Sequence, residues 1–474
     1  MNLSSAASKL ERADARAPDQ TSLAREVRTV ARGGTLTIVG FMASAVLQSL
    51  LVVVITRGLG AGPAGVFFEA VALFTILSNW AQLGADVGCV REIARLRALG
   101  RIADATRSVA VALVPVLAVG TLAAVVVYAC APAIATVFFD PLHRDAGARD
   151  IRFIAFFLPL AAATTVTLGA SRGFGTMKPY VLVQNIALPA ARIVLVFAAV
   201  AAGVGTGAVA LAWTSPLLGA WAVALGCLAW ALRRTRGGEG DEHAAASPLP
   251  ALAWSFWRFS APRAVAAAFG TTVTWLDVLL VGAYTSASEA AIYAAASRLA
   301  LVGAYALYAA GMALGPQFSS LIAQDRRDVV DGLYQAATAW LIALGWPLYA
   351  TLAVFAPVFM EIFGPHYVAG ATALTILALA GLVNFATGNV TLLLLMAGGS
   401  GWNMFNAAAS LATNVALNLV LIPRYGIEGA ALAWAASIVL NNVLALAEVR
   451  LALGFHPFAR GYVVAVAALG LFGG

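Results

Sequence analysis

The sequence predicts an all-α polytopic membrane protein: about twelve transmembrane helices in two six-helix bundles related by a parallel pseudo-twofold repeat, plus an incomplete C-terminal segment. Three observations predict it. The 474 residues are 61% hydrophobic and only 11% charged, whereas a soluble chain carries roughly a quarter charged residues. A water-exposed surface cannot be built from that supply. Apolar runs near the ~20 residues that cross a bilayer as one helix recur along nearly the whole chain, and a polar break at 233–258 falls midway among them. A membrane β-barrel would show short alternating strands. Long Ala/Leu/Val runs instead suit helices, which satisfy their own backbone groups in lipid.

Residues 1–33 are polar and mixed in charge, without the apolar core and small-residue cleavage site of a signal peptide. They read as a cytoplasmic tail. Apolar windows at 34–56, 64–83, 108–131, 151–170, 180–202 and 208–232 make an N-terminal bundle over 34–232. A linker over 233–258 is Arg-rich, then acidic, then Pro/Ala-rich (Ser247-Pro248-Leu249-Pro250). Windows at 260–283, 288–313, 333–355, 369–396, 404–422 and 428–449 make the C-terminal bundle, 259–450. Residues 451–474 begin another apolar run that stops too early to span.

Basic residues set the orientation. Arg12, Arg16, Arg25, Arg28 and Arg32 precede the first helix, Arg91, Arg95, Arg97, Arg101 and Arg107 lie between the second and third, and Arg233, Arg234 and Arg236 follow the sixth. The alternate loops hold only Arg57, Arg144, Arg149, Arg152 and Arg424. The positive-inside rule then puts the N-terminus and linker in the cytoplasm. It also accounts for the net charge of +7 without nucleic acid as a partner. Ala210-Leu211-Ala212-Trp213 recurs as Ala431-Leu432-Ala433-Trp434 at the matching helix of the second half. Six helices per half make the repeat parallel, a plan that places substrate between the halves. Cys89, Cys130 and Cys227 have no paired spacing and the four histidines are scattered, so neither disulfide, metal nor other cofactor is expected.

Several segments resemble one family. Asn414 to Ala433, with Pro423-Arg424-Tyr425-Gly426 and Gly429-Ala430-Ala431, resembles the C-terminal half of polysaccharide-biosynthesis (O-antigen-type) flippases of the multidrug/oligosaccharidyl-lipid/polysaccharide exporter superfamily. Arg57-Gly58-Leu59-Gly60 through Phe67 with Arg91-Glu92-Ile93-Ala94 resembles the same family's helix 1–2 pattern. Asp277 to Gly282 with Ile292-Tyr293-Ala294 and Arg298-Leu299 also resembles that family, and Ile362-Phe363-Gly364 with Tyr367 resembles its helix 9–10 connection. Physically, Pro423 to Gly426 is a tight turn, and Gly429-Ala430-Ala431 permits close helix packing. The resemblance implies a flippase, not an enzyme. Its cargo would be a polyprenyl-diphosphate glycan, moved by alternating access across the bacterial cytoplasmic membrane. Membrane lipids, a polysaccharide polymerase and glycosyltransferases are the implied partners, and the chain would act as a monomer. A cation-coupled drug exporter of the same superfamily is the alternative. Residues 34–56 lack the acid such exporters typically carry in the first helix. A membrane polymerase would want a large outer loop with paired carboxylates, and 132–150 is short. A scaffold would pair its buried charges internally.

Ionisable groups within spans are costly and usually face a cavity or a partner. Arg192 falls mid-way along the fifth helix, where an anionic substrate group or Glu69 or Asp86 would balance it. Asp277 and Arg298 lie roughly 10 and 15 Å below the same turn at the helical rise. They form either a structural ion pair or a substrate site. Arg263, Gln48 and Asn389 complete the candidate substrate-binding set, Arg263 being also placed to snorkel to the interface. Gly173 to Lys178 superficially resembles a phosphate-cradling turn, but no strand precedes it.

Overall fold

Apolar sequence commits each segment to helix, and small residues decide how closely the helices meet. The computed structural model describes residues 20–236, 247–458 and 462, and among these there is no strand. The first half comprises α1 (Gln20–Leu59), α2 (Ala61–Ala81), α3 (Ala85–Ala98), α4 (Ile102–Phe138), α5 (Arg144–Ala155), α6 (Leu158–Gly173), α7 (Leu188–Ala201), α8 (Thr206–Thr214) and α9 (Pro216–Arg236). The second comprises α10 (Leu249–Tyr284), α11 (Ala287–Ala323), α12 (Arg327–Val354), α13 (Ala356–Glu361), α14 (Ala371–Ala386), α15 (Val390–Met396) and α16 (Ser400–Leu453).

Among the described residues ten helical stretches are long and apolar enough to cross a membrane, and α5 with α6, bent by 42°, supplies an eleventh. The 54-residue α16 breaks at Gly426, whose φ of 55° and ψ of −131° are non-helical, so it crosses twice. That gives the twelve spans expected. A methyl on Gly429 would run into the Leu421 carbonyl, so the Pro423–Gly426 turn folds the two runs tightly together. The chain is a multi-pass membrane protein of two helical lobes.

Two boundaries differ from the sequence reading. α1 already starts at Gln20, inside the expected tail, and the linker narrows because α9 runs to Arg236 and α10 begins at Leu249. The expected C-terminal segment falls mostly outside the described residues. Ser247 at the linker's end is pinned by Asp104, which accepts its amide at 3.2 Å and its hydroxyl at 3.0 Å.

A π-helical turn, Tyr180–Ala187, leads into α7. Pro189 has no amide to offer the carbonyl four residues back, and the chain widens there. Opposite the linker, the lobes meet closely. Gly65 of α2 lies so near α11 that a side chain would collide with the Ala287 carbonyl. Phe67, Val278, Leu279, Ala291 and Ile292 share one buried core across that seam.

Candidate functional site

Midway through the membrane, six helices leave a cavity of about 60 Å³ lined by Gln48, Arg192, Trp213, Trp275, Arg298 and the apolar residues around them. α1, α2, α7 and α8 supply one wall from the first lobe, and α10 and α11 supply the other. Arg298 lies eleven residues into α11, about 17 Å along the helix, or half the ~30 Å hydrocarbon core. Among the described residues no carboxylate lines the cavity.

Each arginine lies on a tryptophan of its own lobe. The Arg192 guanidinium is 3.9 Å from the Trp213 ring, and its Nε donates to the Trp213 carbonyl at 3.0 Å. Arg298 sits 3.6 Å above the Trp275 ring, and its buried Nη2 has no hydrogen-bond partner among the described residues. Stacking offsets part of the cost of holding a cation away from water while leaving the guanidinium edge free to donate. At the margin, Gln48 Nε2 donates across the lobes to the Tyr305 hydroxyl at 2.6 Å and, within α1, to Ser44 Oγ at 3.1 Å.

The cavity thus gathers three of the six residues singled out from sequence: Arg192, Arg298 and Gln48. The other three lie elsewhere. Asp277 is buried and does not pair with Arg298. It accepts from the Tyr293 hydroxyl at 2.9 Å and from Asn418 Nδ2 at 2.7 Å, while Asn418 also donates to Asn414 at 3.1 Å. The reason is helical phase: Trp275, two residues earlier, points into the cavity, and two residues turn a helix by about 200°. Arg263 lies 5.6 Å over the Phe259 ring, a ring that Arg91 also covers at 4.0 Å, so it belongs to the linker end. Asn389 precedes α15 and faces Gly311. Arg192 forms no ion pair with Glu69 or Asp86 among the described residues. Glu69 is instead buried against Gly282 of the other lobe, with neither carboxylate oxygen partnered.

Sequence reasoning missed the two stacking partners. Trp213 was visible only as part of the Ala-Leu-Ala-Trp repeat, and Trp275 carried no signal beyond being a tryptophan within a span.

Away from the linker, two charged side chains cross between lobes onto helix ends. Arg57 Nε and Nη2 donate to the carbonyls of Ile362 and Glu361, at 2.7 and 3.1 Å, at the end of α13. Asp140 accepts the Ala287 amide at the start of α11 at 3.0 Å and holds the His143 ring at 2.9 Å. Burial pushes the Asp140 carboxyl up, but the Ala287 amide and the His143 ring and amide outweigh it and hold it below its usual range. An anion at a helix start and a cation at a helix end both suit the helix dipole.

Comparison with known proteins agrees with this architecture. The fold matches a solved structure described as an inward-facing multidrug resistance MATE family transporter of the MOP superfamily (TM-score 0.73, 15% identity, 89% of this chain and 98% of that one). It also matches the lipid II flippase MurJ in an inward closed conformation (TM-score 0.69, 11% identity, 92% of each chain). At these identities the likeness establishes the fold alone: two helical lobes arranged as in those two structures. A 191-residue stretch is 25% identical to the "Probable low-salt glycan biosynthesis flippase Agl15" of Haloferax volcanii, spanning 40% of this chain and 40% of that protein. Residues 30–322 match the model of the family described as polysaccharide biosynthesis protein, and the chain belongs to that family.

Proposed function

We propose that this protein is a flippase for a lipid-linked oligosaccharide, carrying a polyprenyl-diphosphate glycan from the cytoplasmic to the outer leaflet by alternating access. The observation that carries the reading is the pair of arginines facing one carboxylate-free cavity from opposite lobes. A diphosphate offers two anionic groups, and arginine is the side chain best suited to grip them through charge-assisted pairs. At about 60 Å³ the cavity has room for only a few waters, at roughly 10–15 Å³ of such space each. A glycan therefore enters only once the lobes part, with the polyprenyl tail remaining in hydrocarbon. The reading requires binding and motion but no bond-making, so no catalytic residue is assigned.

The second reading, a cation-coupled drug exporter, draws on the MATE-like fold, but a cationic drug would find two like charges and no acid. The test is deletion in the parent cell followed by leaflet-resolved measurement of lipid-linked glycan. Build-up on the cytoplasmic leaflet, reversed by the wild-type chain and not by an R192A/R298A variant, supports the flippase. Unchanged glycan distribution with new drug sensitivity overturns it in favour of the exporter.

A further inference from the structure

A second and larger cavity lies outside the transport path, on the flank of the first lobe at the linker end. It is a groove of about 1520 Å³ between the α3–α4 turn, the Phe174–Lys178 loop with the π-helical turn behind it, and the last turns of α9. Arg97, Lys178 and Arg234 lie along it, and among the described residues no acid does. Three arginines nearby are already neutralised: Arg95 pairs with Glu92 at 2.6 Å, and Arg101 and Arg107 pair with Asp104 at 2.5 and 3.4 Å. Among the described residues the three groove cations have no such pair. Arg97 donates to the Gly173 carbonyl at 3.1 Å, and Arg234 lies 5.4 Å over the Trp230 ring. Both are held in place without losing their charge.

The remaining wall is apolar and open. Leu182, Val223 and Trp230 are 50%, 53% and 54% exposed. They sit on membrane-crossing helices, so what they are exposed to is hydrocarbon. Cations gathered where apolar helices end, above an exposed apolar wall, fit a ligand with a phosphate at one end and a hydrocarbon chain at the other. A soluble phosphate would leave the wall unused, and a zwitterionic headgroup would not need three cations. We propose that this groove binds one anionic phospholipid of the leaflet at the linker end. Arg97, Lys178 and Arg234 hold its phosphate, and a chain lies along Leu182, Val223 and Trp230. The site is separate from the arginine cavity and stands whether or not the cargo is a glycan.

The experiment is lipid retention by the purified full-length protein, read by native mass spectrometry and thermal melting with phosphatidylglycerol, phosphatidylcholine or inorganic phosphate. An interfacial cation favours an anionic lipid several-fold, so three predict a preference for phosphatidylglycerol on the order of a hundredfold. R97Q/K178Q/R234Q should abolish that preference. Should the triple variant not fold, K178Q alone should reduce it several-fold, while R327Q, at an exposed pair with Asp325, leaves it intact. Equal retention of the two lipids, or an undiminished preference in K178Q and the triple variant, overturns the proposal. A melting shift from inorganic phosphate equal to that from phosphatidylglycerol makes this a free-anion site and overturns the lipid assignment. The acidic stretch Glu239 to Glu242 follows α9 in sequence. A preference seen only in E239Q/D241N/E242Q would mean the chain's own acids occupy the groove, which also overturns it.

Discussion

Replacing Asp140 with alanine removes the carboxylate that reaches from one lobe to the start of α11 in the other. Three of its hydrogen bonds are local, to the Leu142 and His143 amides and the His143 ring; the fourth, to the Ala287 amide at 3.0 Å, crosses the seam. Only the fourth distinguishes a closed far end from an open one, because in the open form water replaces it. Losing a side-chain cap on a helix start costs about 0.5–2 kcal/mol, of which the charge on the helix dipole accounts for roughly 0.3–1. At ~1.4 kcal/mol per decade, D140A should shift the population toward far-end opening by roughly two- to thirty-fold. D140N, which keeps an acceptor, should shift it less. Spin labels at Ala202 and Tyr425, one on each lobe at that end, would report the shift as a longer component in the distance distribution. The three native cysteines must be replaced first. The pH dependence follows from the depressed carboxyl. Its stabilisation is complete above the unfolded value near 4 and is lost only as pH falls through the lower folded value. The wild-type distribution should therefore be flat from pH 5 to 8 as far as Asp140 is concerned. Unchanged distances in D140A alongside a lowered melting temperature would refute the reasoning, since the cap would then be stabilising its own loop alone.

Two further outcomes are expected. R192K and R298K keep the charge but give up the planar stack on Trp213 and Trp275, worth about 0.5–2 kcal/mol, so each should fold and lose roughly two- to thirty-fold in transport of lipid-linked glycan into proteoliposomes. Wild-type transport by both would remove the stacked guanidinium from the mechanism. G65A places a methyl against the backbone of Ala287, and such overpacking costs typically 1–3 kcal/mol. Its melting temperature should fall and the Ala202–Tyr425 distance lengthen, whereas an unchanged pair of readings would show that the seam is looser than described.

Fold class was legible because bilayer thickness writes itself into the sequence as a run length. The windows at 404–422 and 428–449 flank Gly426, and the chain does reverse there, since Pro423 and Gly426 leave little choice. Depth was legible in part: Arg192 and Arg298 were placed well inside their spans, and both reach one cavity, which Gln48 also lines. Azimuth was not. Asp277 and Arg298 lie at similar depths, so axial position alone made them neighbours. The neighbouring spans rotate them apart, giving Asp277 to Tyr293 and Asn418 and giving Arg298 to Trp275. The same blindness misplaced Asn389, whose helix phase is reset by the break between α14 and α15. A helical wheel over 273–284 cannot mend this, because both faces of that helix are covered by protein: one by α2, the other by α16.

Stacking explains why the two cavity arginines can wait unpaired. A carboxylate partner would neutralise them in this compact state and would have to be displaced by the cargo, so binding would gain only the difference between two similar pairs. An indole face attracts the cation more weakly and leaves in-plane N–H groups, such as Arg298 Nη2, without a partner to displace. An incoming anion then forms its hydrogen bonds without breaking an ion pair. The buried acid nearby, Glu69, is withheld from this exchange by its position behind Gly282, on the seam and outside the cavity lining. The charge balance of the site is therefore left for the ligand to complete, which is the arrangement a carrier of polyanions needs and a carrier of cations does not.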